Sequence, residues 1–189
     1  MGANWSPPTL NERITVSTSP RWTTATLWIS IQAVVWIALD QVSKWWAEST
    51  LNFGEYEPLV GDLFGFRLVY NPGAAFGLAA EHTWVLSIVA AIAVVGLTWF
   101  SLRPHHWSWA LGLGALLGGA ISHLFDRLFR EPGFATGHIV DFLDYAGFFV
   151  GNVADIALVG GAGVLILASL FAPQDPVEDA QTSESTESK

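Results

Sequence analysis

The sequence predicts an all-α membrane protein with four transmembrane helices, a small β-rich segment and a surface loop or helix. Only 13% of its 189 residues are charged and 51% are hydrophobic, whereas about a quarter of the residues in a soluble domain are charged. Tryptophans lie near the ends of the apolar stretches, as they do at membrane interfaces. Four stretches approach the roughly 20 residues that cross a bilayer, and they are approximately 27–47, 84–102, 107–125 and 150–172.

A polar arm, residues 1–26, precedes the first predicted span, and an acidic tail, residues 173–189, follows the last. The arm and first span do not resemble a cleaved signal peptide, because the span contains Asp40 and Lys44 and lacks a small-residue cleavage site. We therefore expect a flexible arm, a membrane domain over residues 27–172 and a solvated tail. The tail is charged and poor in apolar residues, which is typical of disorder.

The two long connections between spans carry different patterns. Residues 63–70, LFGFRLVY, are β-prone and run into the turn-forming NPGAAFG, which predicts a small sheet resting on the membrane surface. The second connection contains Pro132, Gly133 and Gly137. We expect it to form a loop or a short surface helix that delivers Asp141 to the end of the helix bundle.

The charges in and beside the predicted spans converge on one membrane boundary. Four spans place both termini on one side, so the ends of spans one and three meet the starts of spans two and four on the other. Lys and Arg are nearly balanced between the two sides, so the positive-inside rule does not orient the chain. The converging charges are Asp40, Lys44, Asp126, Arg127, Asp141 and Asp155.

Asp141 and Asp155 are the candidate catalytic residues. Two carboxylates held close together share a proton, which supplies a base and an acid at once. Such a pair activates water to attack an amide carbonyl and protonates the leaving nitrogen. The alternative interpretation is that Asp141 is a solvated loop residue and that Asp155 only caps the fourth helix.

Other polar residues near this boundary have either supporting or purely structural interpretations. Asp40 and Lys44 are four residues apart on one helical face, which predicts a supporting salt bridge. Asn71 could be a turn former, and Asn152 could cap the fourth helix or offer its amide to the site. Arg127 could neutralise a carboxylate or anchor a lipid phosphate.

Several kinds of chemistry lack the residues they need. The chain contains no cysteine, which excludes a disulfide framework, a thiol nucleophile and a thiolate metal site. No histidine pair has metal-ligand spacing with a matching third ligand, so we expect neither a metal nor a cofactor. There is no phosphate-binding glycine loop and no basic stripe, so we expect no nucleic-acid partner.

His138 is close enough in sequence to approach Asp141.

Five short blocks, taken in order, resemble the lipoprotein signal peptidases (signal peptidase II), which are bacterial membrane aspartic peptidases. The resemblance extends over roughly residues 30–170, and the LFREPG stretch is similar to actinobacterial members. The blocks are DQVSKWW at 40–46, VYNPGAAFG at 69–77, GGAISHLFDR at 118–127, GHIVDF at 137–142 and NVAD at 152–155.

The resemblance implies that Asp141 and Asp155 are the catalytic pair. It also implies a substrate, a prolipoprotein with a diacylglyceryl-modified cysteine, which is cut just before that cysteine. The chain would lie in the bacterial cytoplasmic membrane among lipids, as a monomer with both termini cytoplasmic. The site and the β-rich segment would be extracytoplasmic. Residues implied to shape or support the site are Asp40, Lys44, Asn71, Gly73, Asp126, Arg127 and Asn152.

The chain departs from the family pattern at four positions near the site. His123, grouped here with the supporting residues, stands where asparagine is usual, and Ser122 precedes it where glycine is usual. Gly151 replaces a common phenylalanine, and Ile156 stands where serine is frequent. Two other classes of protein remain as alternatives: a proton-coupled transporter or channel component, and a membrane scaffold without enzymatic activity. A transporter would be expected to have charges spread through the membrane depth or an inverted repeat.

Overall fold

Four helices, each long and apolar enough to cross a membrane, form the body of the structure, a computed structural model that describes residues 21–74, 78–103 and 107–171. They are α1 (Arg21–Thr50), α2 (Thr83–Ser101), α3 (Trp107–Phe129) and α4 (Val153–Phe171). The whole predicted tail and the first 20 residues of the predicted arm lie outside the described residues. The four predicted helices are confirmed, although α1 begins within the predicted arm and α4 begins later than predicted.

Helix α3 occupies the centre of the bundle, because it packs against each of the other three helices. Its glycines allow the close approach. A Cβ at Gly118 would lie 2.7 Å from the Trp36 Cβ of α1, and one at Gly119 would lie 2.8 Å from the Ala154 carbonyl oxygen of α4. Helices α1, α2 and α4 expose much of their apolar surface, as lipid-facing helices do.

A four-stranded antiparallel sheet covers one end of the bundle. Its strands are β1 (Glu57–Val60), β2 (Phe64–Asn71), β3 (Ile139–Tyr145) and β4 (Phe149–Gly151), paired in that order. In the register of β2 and β3, Val69 lies opposite Asp141. The sheet packs on the end of α1 through a buried cluster that includes Ala47, Leu68, Val140 and Phe142.

Two expectations about the connections and the fourth span are wrong. The segment expected to carry Asp141 as a loop or surface helix instead ends in β3 and β4, so the protein is not all-α. Residues 139–145 are almost entirely buried, and their Ile, Val and Phe side chains suit a pleated, buried surface. The fourth span, predicted to start at about residue 150, starts after β4, so Asp155 lies in the first turn of α4.

Candidate active site

Asp141 lies on β3 at the end of the helix bundle and is only 4% exposed. Its Oδ1 accepts a hydrogen bond from the Asn152 Nδ2 at 2.6 Å, and its Oδ2 accepts one from the Asn71 Nδ2 at 3.0 Å. Burial raises the pKa of Asp141 to about 7, and the negative charge of Asp155 acts in the same direction. The two amide hydrogen bonds oppose this shift. Asp141 is therefore a carboxyl group that holds its proton close to neutral pH.

Asp155 belongs to a reciprocal capping arrangement at the start of α4. Its Oδ2 accepts a hydrogen bond from the backbone N–H of Asn152 at 2.9 Å, and its own N–H donates to the Asn152 Oδ1 at 3.1 Å. This is the geometry of a capping box. Asp155 thus occupies the first turn of α4, a position where acidic residues are common. The capping interpretation therefore describes Asp155 and Asn152 correctly, and it still leaves the Asp155 side chain 30% exposed.

Asn152 contacts both aspartates and is itself fully buried. Its side-chain amide binds Asp141 and its backbone amide binds Asp155. Asn152, at the junction of β4 and α4, thus joins the carboxyl group of Asp141 on β3 to that of Asp155 on α4. The pair can supply an acid and a base to a bound substrate.

Arg127 holds together the loops beside Asp141. Its Nη1 donates to the carbonyl oxygens of Asn71, Pro72 and Gly137 at 3.0 to 3.1 Å, and its Nη2 donates to that of Gly73. The Gly73 N–H donates in turn to the Asn71 Oδ1 at 2.9 Å, which fixes the amide that binds Asp141. Arg127 is 2% exposed. Its hydrogen bonds go to carbonyl oxygens, and its charge also interacts with the carboxyl groups of Asp141 and Asp126.

Asp40, Lys44 and Asp126 form a buried ionic cluster between α1 and α3. The Lys44 Nζ lies 2.5 Å from the Asp40 Oδ2 and 2.7 Å from the Asp126 Oδ2. The Asp40 Oδ1 accepts a hydrogen bond from the Ala154 N–H at 2.8 Å, so a side chain of α1 caps the first turn of α4. The three residues do not line the cavity of the site. They support it by joining α1, α3 and the start of α4.

A cavity of about 300 Å³ opens beside the two aspartates. Its polar part is formed by Asn71, Gly73, His123, Arg127 and the pair itself. Its apolar wall was not predicted from the sequence, because these side chains look like ordinary lipid-facing or core residues there. That wall consists of Leu86, Val89, Ala90 and Ala93 of α2, with Ile139, Phe149 and Leu158.

Gly151 leaves room for the Asp155 carboxylate. A Cβ at this position would lie 2.8 Å from the Asp155 Oδ2 and 2.6 Å from the Phe149 Cε1. The Phe149 ring and the Asp155 carboxylate therefore both lie close to the backbone of Gly151, where a side chain would otherwise be. A larger residue at this position would require the Phe149 ring or the Asp155 carboxylate to shift.

His123 of α3 also reaches Asn152 and Asp155. Its Nε2 lies 3.2 Å from the Asn152 Oδ1 and 3.6 Å from the Asp155 Oδ1. Its side chain is 17% exposed. His123 is therefore a third titratable group beside the pair.

A second, larger cavity of about 510 Å³ is lined by Glu48, Tyr70, Phe129, Arg130, Glu131, Pro132 and His138. Neither aspartate lines it. The expected approach of His138 to Asp141 is thus wrong, because His138 faces this second cavity. Burial lowers the pKa of His138, and the positive charge of Arg127 lowers it further. Among the described residues, no group of three or more His, Asp or Glu side chains is arranged to hold a metal ion.

Comparison with known proteins supports the identification made from the sequence blocks. The model of the family described as "Signal peptidase (SPase) II" matches residues 32–171. The lipoprotein signal peptidase of Mycobacterium avium is 46% identical over 145 residues, which are 77% of this chain and 79% of that protein. The lipoprotein signal peptidase of Mycobacterium tuberculosis H37Rv is 47% identical over 139 residues, 74% of this chain and 69% of that protein.

The fold also matches a solved structure described as a bacterial membrane enzyme determined by the in meso method at 2.3 Å resolution. The TM-score is 0.66 at 24% identity, over 88% of this chain and 94% of that chain. These relatives do not favour the transporter alternative.

Proposed function

The chain belongs to the signal peptidase II family, and we propose that it cleaves signal peptides from prolipoproteins with Asp141 and Asp155 as its catalytic pair. It is a membrane peptidase of the aspartic type. The proposed substrate carries a diacylglyceryl-modified cysteine, and the cut falls just before that cysteine. The observation that carries the proposal is the joint attachment of both carboxyl groups to Asn152 at the edge of one cavity.

The two carboxyl groups have different roles in the proposed reaction. Asp155 is the base, since it lies at a helix N-terminus that stabilises its negative charge. Asp141 is the acid, since its pKa of about 7 keeps it largely protonated below neutral pH. Asp155 takes a proton from water as the water oxygen bonds to the scissile carbonyl carbon. Asp141 then protonates the nitrogen as the carbon–nitrogen bond breaks, and transfer of a proton from Asp155 to Asp141 restores the resting state.

The remaining site residues hold the pair in place. Asn71 and Asn152 bind Asp141 directly, while Arg127 and Gly73 fix the loop that presents Asn71. The supporting cluster of Asp40, Lys44 and Asp126 joins α1, α3 and the start of α4.

The cavity wall formed by α2 suits a lipid-modified substrate. The wall is apolar and continues from the aspartates along the membrane-spanning part of α2. A signal helix and its acyl chains could remain in the bilayer while the scissile bond reaches the carboxyl groups at the rim. The proposal places this rim at the extracytoplasmic face, with both termini in the cytoplasm and the enzyme acting as a monomer.

A cleavage assay on purified protein tests the proposal. The protein in detergent is incubated with a diacylglyceryl-modified prolipoprotein, and the loss of the signal peptide is followed by mass spectrometry. Wild type should release the peptide. Asp141→Asn and Asp155→Asn should each lose nearly all turnover and still insert into the membrane, because a neutral amide serves as neither base nor acid. Near-normal turnover by either variant would exclude the aspartate mechanism.

A further inference from the structure

We infer that His123 is a positioning residue for the catalytic pair, holding Asn152 with its Nε2–H and, when doubly protonated, keeping Asp155 in its ionised form. The inference rests on the proposed function of Asp141 and Asp155. It concerns the histidine that distinguishes this chain from the asparagine usual at this position.

The neighbours of Asn152 determine whether the His123 Nε2 or the Asn152 side chain donates the hydrogen bond between them. The Asn152 Nδ2 is occupied by the Asp141 Oδ1 at 2.6 Å, so the Oδ1 of the same amide faces His123. A carbonyl oxygen only accepts hydrogen bonds. The proton in the 3.2 Å contact between His123 and Asn152 must therefore be on the His123 Nε2.

This hydrogen bond helps to orient the amide that touches both aspartates. The Asn152 Oδ1 accepts from the Asp155 N–H and from the His123 Nε2–H together. A reversed amide would turn its NH₂ group towards both donors. His123 thereby stabilises the orientation in which the Nδ2 of Asn152 binds Asp141.

The imidazole also adds a charge that asparagine does not carry. Histidine changes charge within the range of pH 5 to 8, and the His123 Nε2 lies 3.6 Å from the Asp155 Oδ1. The other charged groups that line the same cavity are Asp141 from β3 and Arg127 on the same helix. Lys44 from α1 interacts with Asp141, and Tyr145 from β3 interacts with Asp155. The residues of α2 that line the cavity are uncharged. Asp155 is the anion in reach of the ring, so a second proton on His123 favours ionised Asp155.

Three variants separate the donor from the charge. His123→Gln places an amide donor near the position of Nε2 without a titrating ring. His123→Leu has neither donor nor charge. His82→Gln makes the same change at an exposed histidine that does not line the cavity. kcat and KM are measured for each variant on the lipidated prolipoprotein between pH 4.5 and 8, and thermal unfolding in detergent checks that each is folded.

We expect His123→Leu to lose about three- to tenfold in kcat at neutral pH, the effect of one neutral hydrogen bond, and His123→Gln to lose less because it keeps a donor. In acid, both variants should lose activity at a higher pH than wild type and His82→Gln, because the ring charge beside Asp155 is absent from both. An acid limb of His123→Gln that superimposes on wild type would refute the charge role. Equal kcat for His123→Leu and His123→Gln at neutral pH would refute the donor role.

Asp155→Asn, measured beside these variants, distinguishes a failure of the proposed function from a failure of the proposed role of His123. If wild type fails to cleave, or Asp155→Asn keeps its turnover, the proposed function itself is wrong. If both behave as expected and the His123 variants do not, only the inference about His123 fails. If His123→Leu does not fold, the pH profile of His123→Gln alone still decides whether the charge matters.

Discussion

Asn152 shows how one residue can serve structure and chemistry at the same time. It is the N-cap of α4, and its two amide groups bind the two aspartates. N-capping residues contribute about 1 kcal/mol to stability, so the side chain that stabilises the start of α4 is also the one that joins the two aspartates. The competing sequence interpretations of this position, a cap or a site amide, therefore describe one arrangement.

The raised pKa of Asp141 predicts the basic side of the pH profile. As the acid of the pair, Asp141 must be protonated, and its pKa is about 7. kcat/KM should therefore fall as the pH rises through about 7, approaching about tenfold per pH unit. The measurement is kcat/KM from pH 6 to 9 in a single detergent. A profile that stays level to pH 9 would contradict the assignment of Asp141 as the acid.

Gly151→Ala should reduce turnover because its Cβ would lie 2.8 Å from the Asp155 Oδ2 and displace that carboxylate. Small displacements of a catalytic group lower kcat by about ten- to a hundredfold. Gly160→Ala on α4 is the matched control, since a Cβ there meets nothing within 4 Å. Comparable kcat values for the two variants would show that Asp155 tolerates the added methyl group.

At the scale of elements, the position of α4 depends on two other helices. Gly119 allows α3 to approach the Ala154 carbonyl oxygen, and Asp40 of α1 accepts the Ala154 N–H. The first turn of α4, which carries Asp155, is thus held from outside the helix. The other aspartate is held by the pairing of β3 with β2, so the site forms only where both sets of contacts are made.

Asp40→Ala should destabilise the protein and misplace Asp155. It removes the partner of Ala154, of Ser122 and, in part, of Lys44, and breaking a buried ion pair costs about 3 kcal/mol or more. The free energy of unfolding in detergent should fall accordingly, together with kcat. Asp40→Asn keeps an acceptor for Ala154 and should retain more activity. Asp62→Ala, at an exposed turn, should change neither quantity.

At the scale of the whole molecule, the buried charges gather at one end of an otherwise apolar bundle. The sheet and both cavities lie at that same end. A transporter would need polar groups through the membrane depth, whereas a peptidase acting on a membrane-anchored substrate needs them only where water and bilayer meet.

The proposed orientation can be tested by labelling, because the chain has no cysteine and therefore no background. Cysteines replacing Glu57 and Glu131, on the sheet side, should react with an impermeant thiol reagent in whole cells or spheroplasts. A cysteine replacing Ser183 should react only after the membrane is permeabilised. Labelling in the reverse order would place the sheet and the aspartates in the cytoplasm.

The four membrane helices and the family could be predicted from the sequence alone, since hydropathy is a local property and five ordered blocks are specific. The roles assigned to the site residues remain predictions. Only the tertiary structure placed Asp141 on a strand, because the pairing of Val69 with Asp141 joins segments far apart in the chain. The tertiary structure also places His138 at the other cavity and the apolar residues of α2 beside Asp141 and Asp155. Such contacts depend on how separate elements pack, and no local pattern encodes that packing.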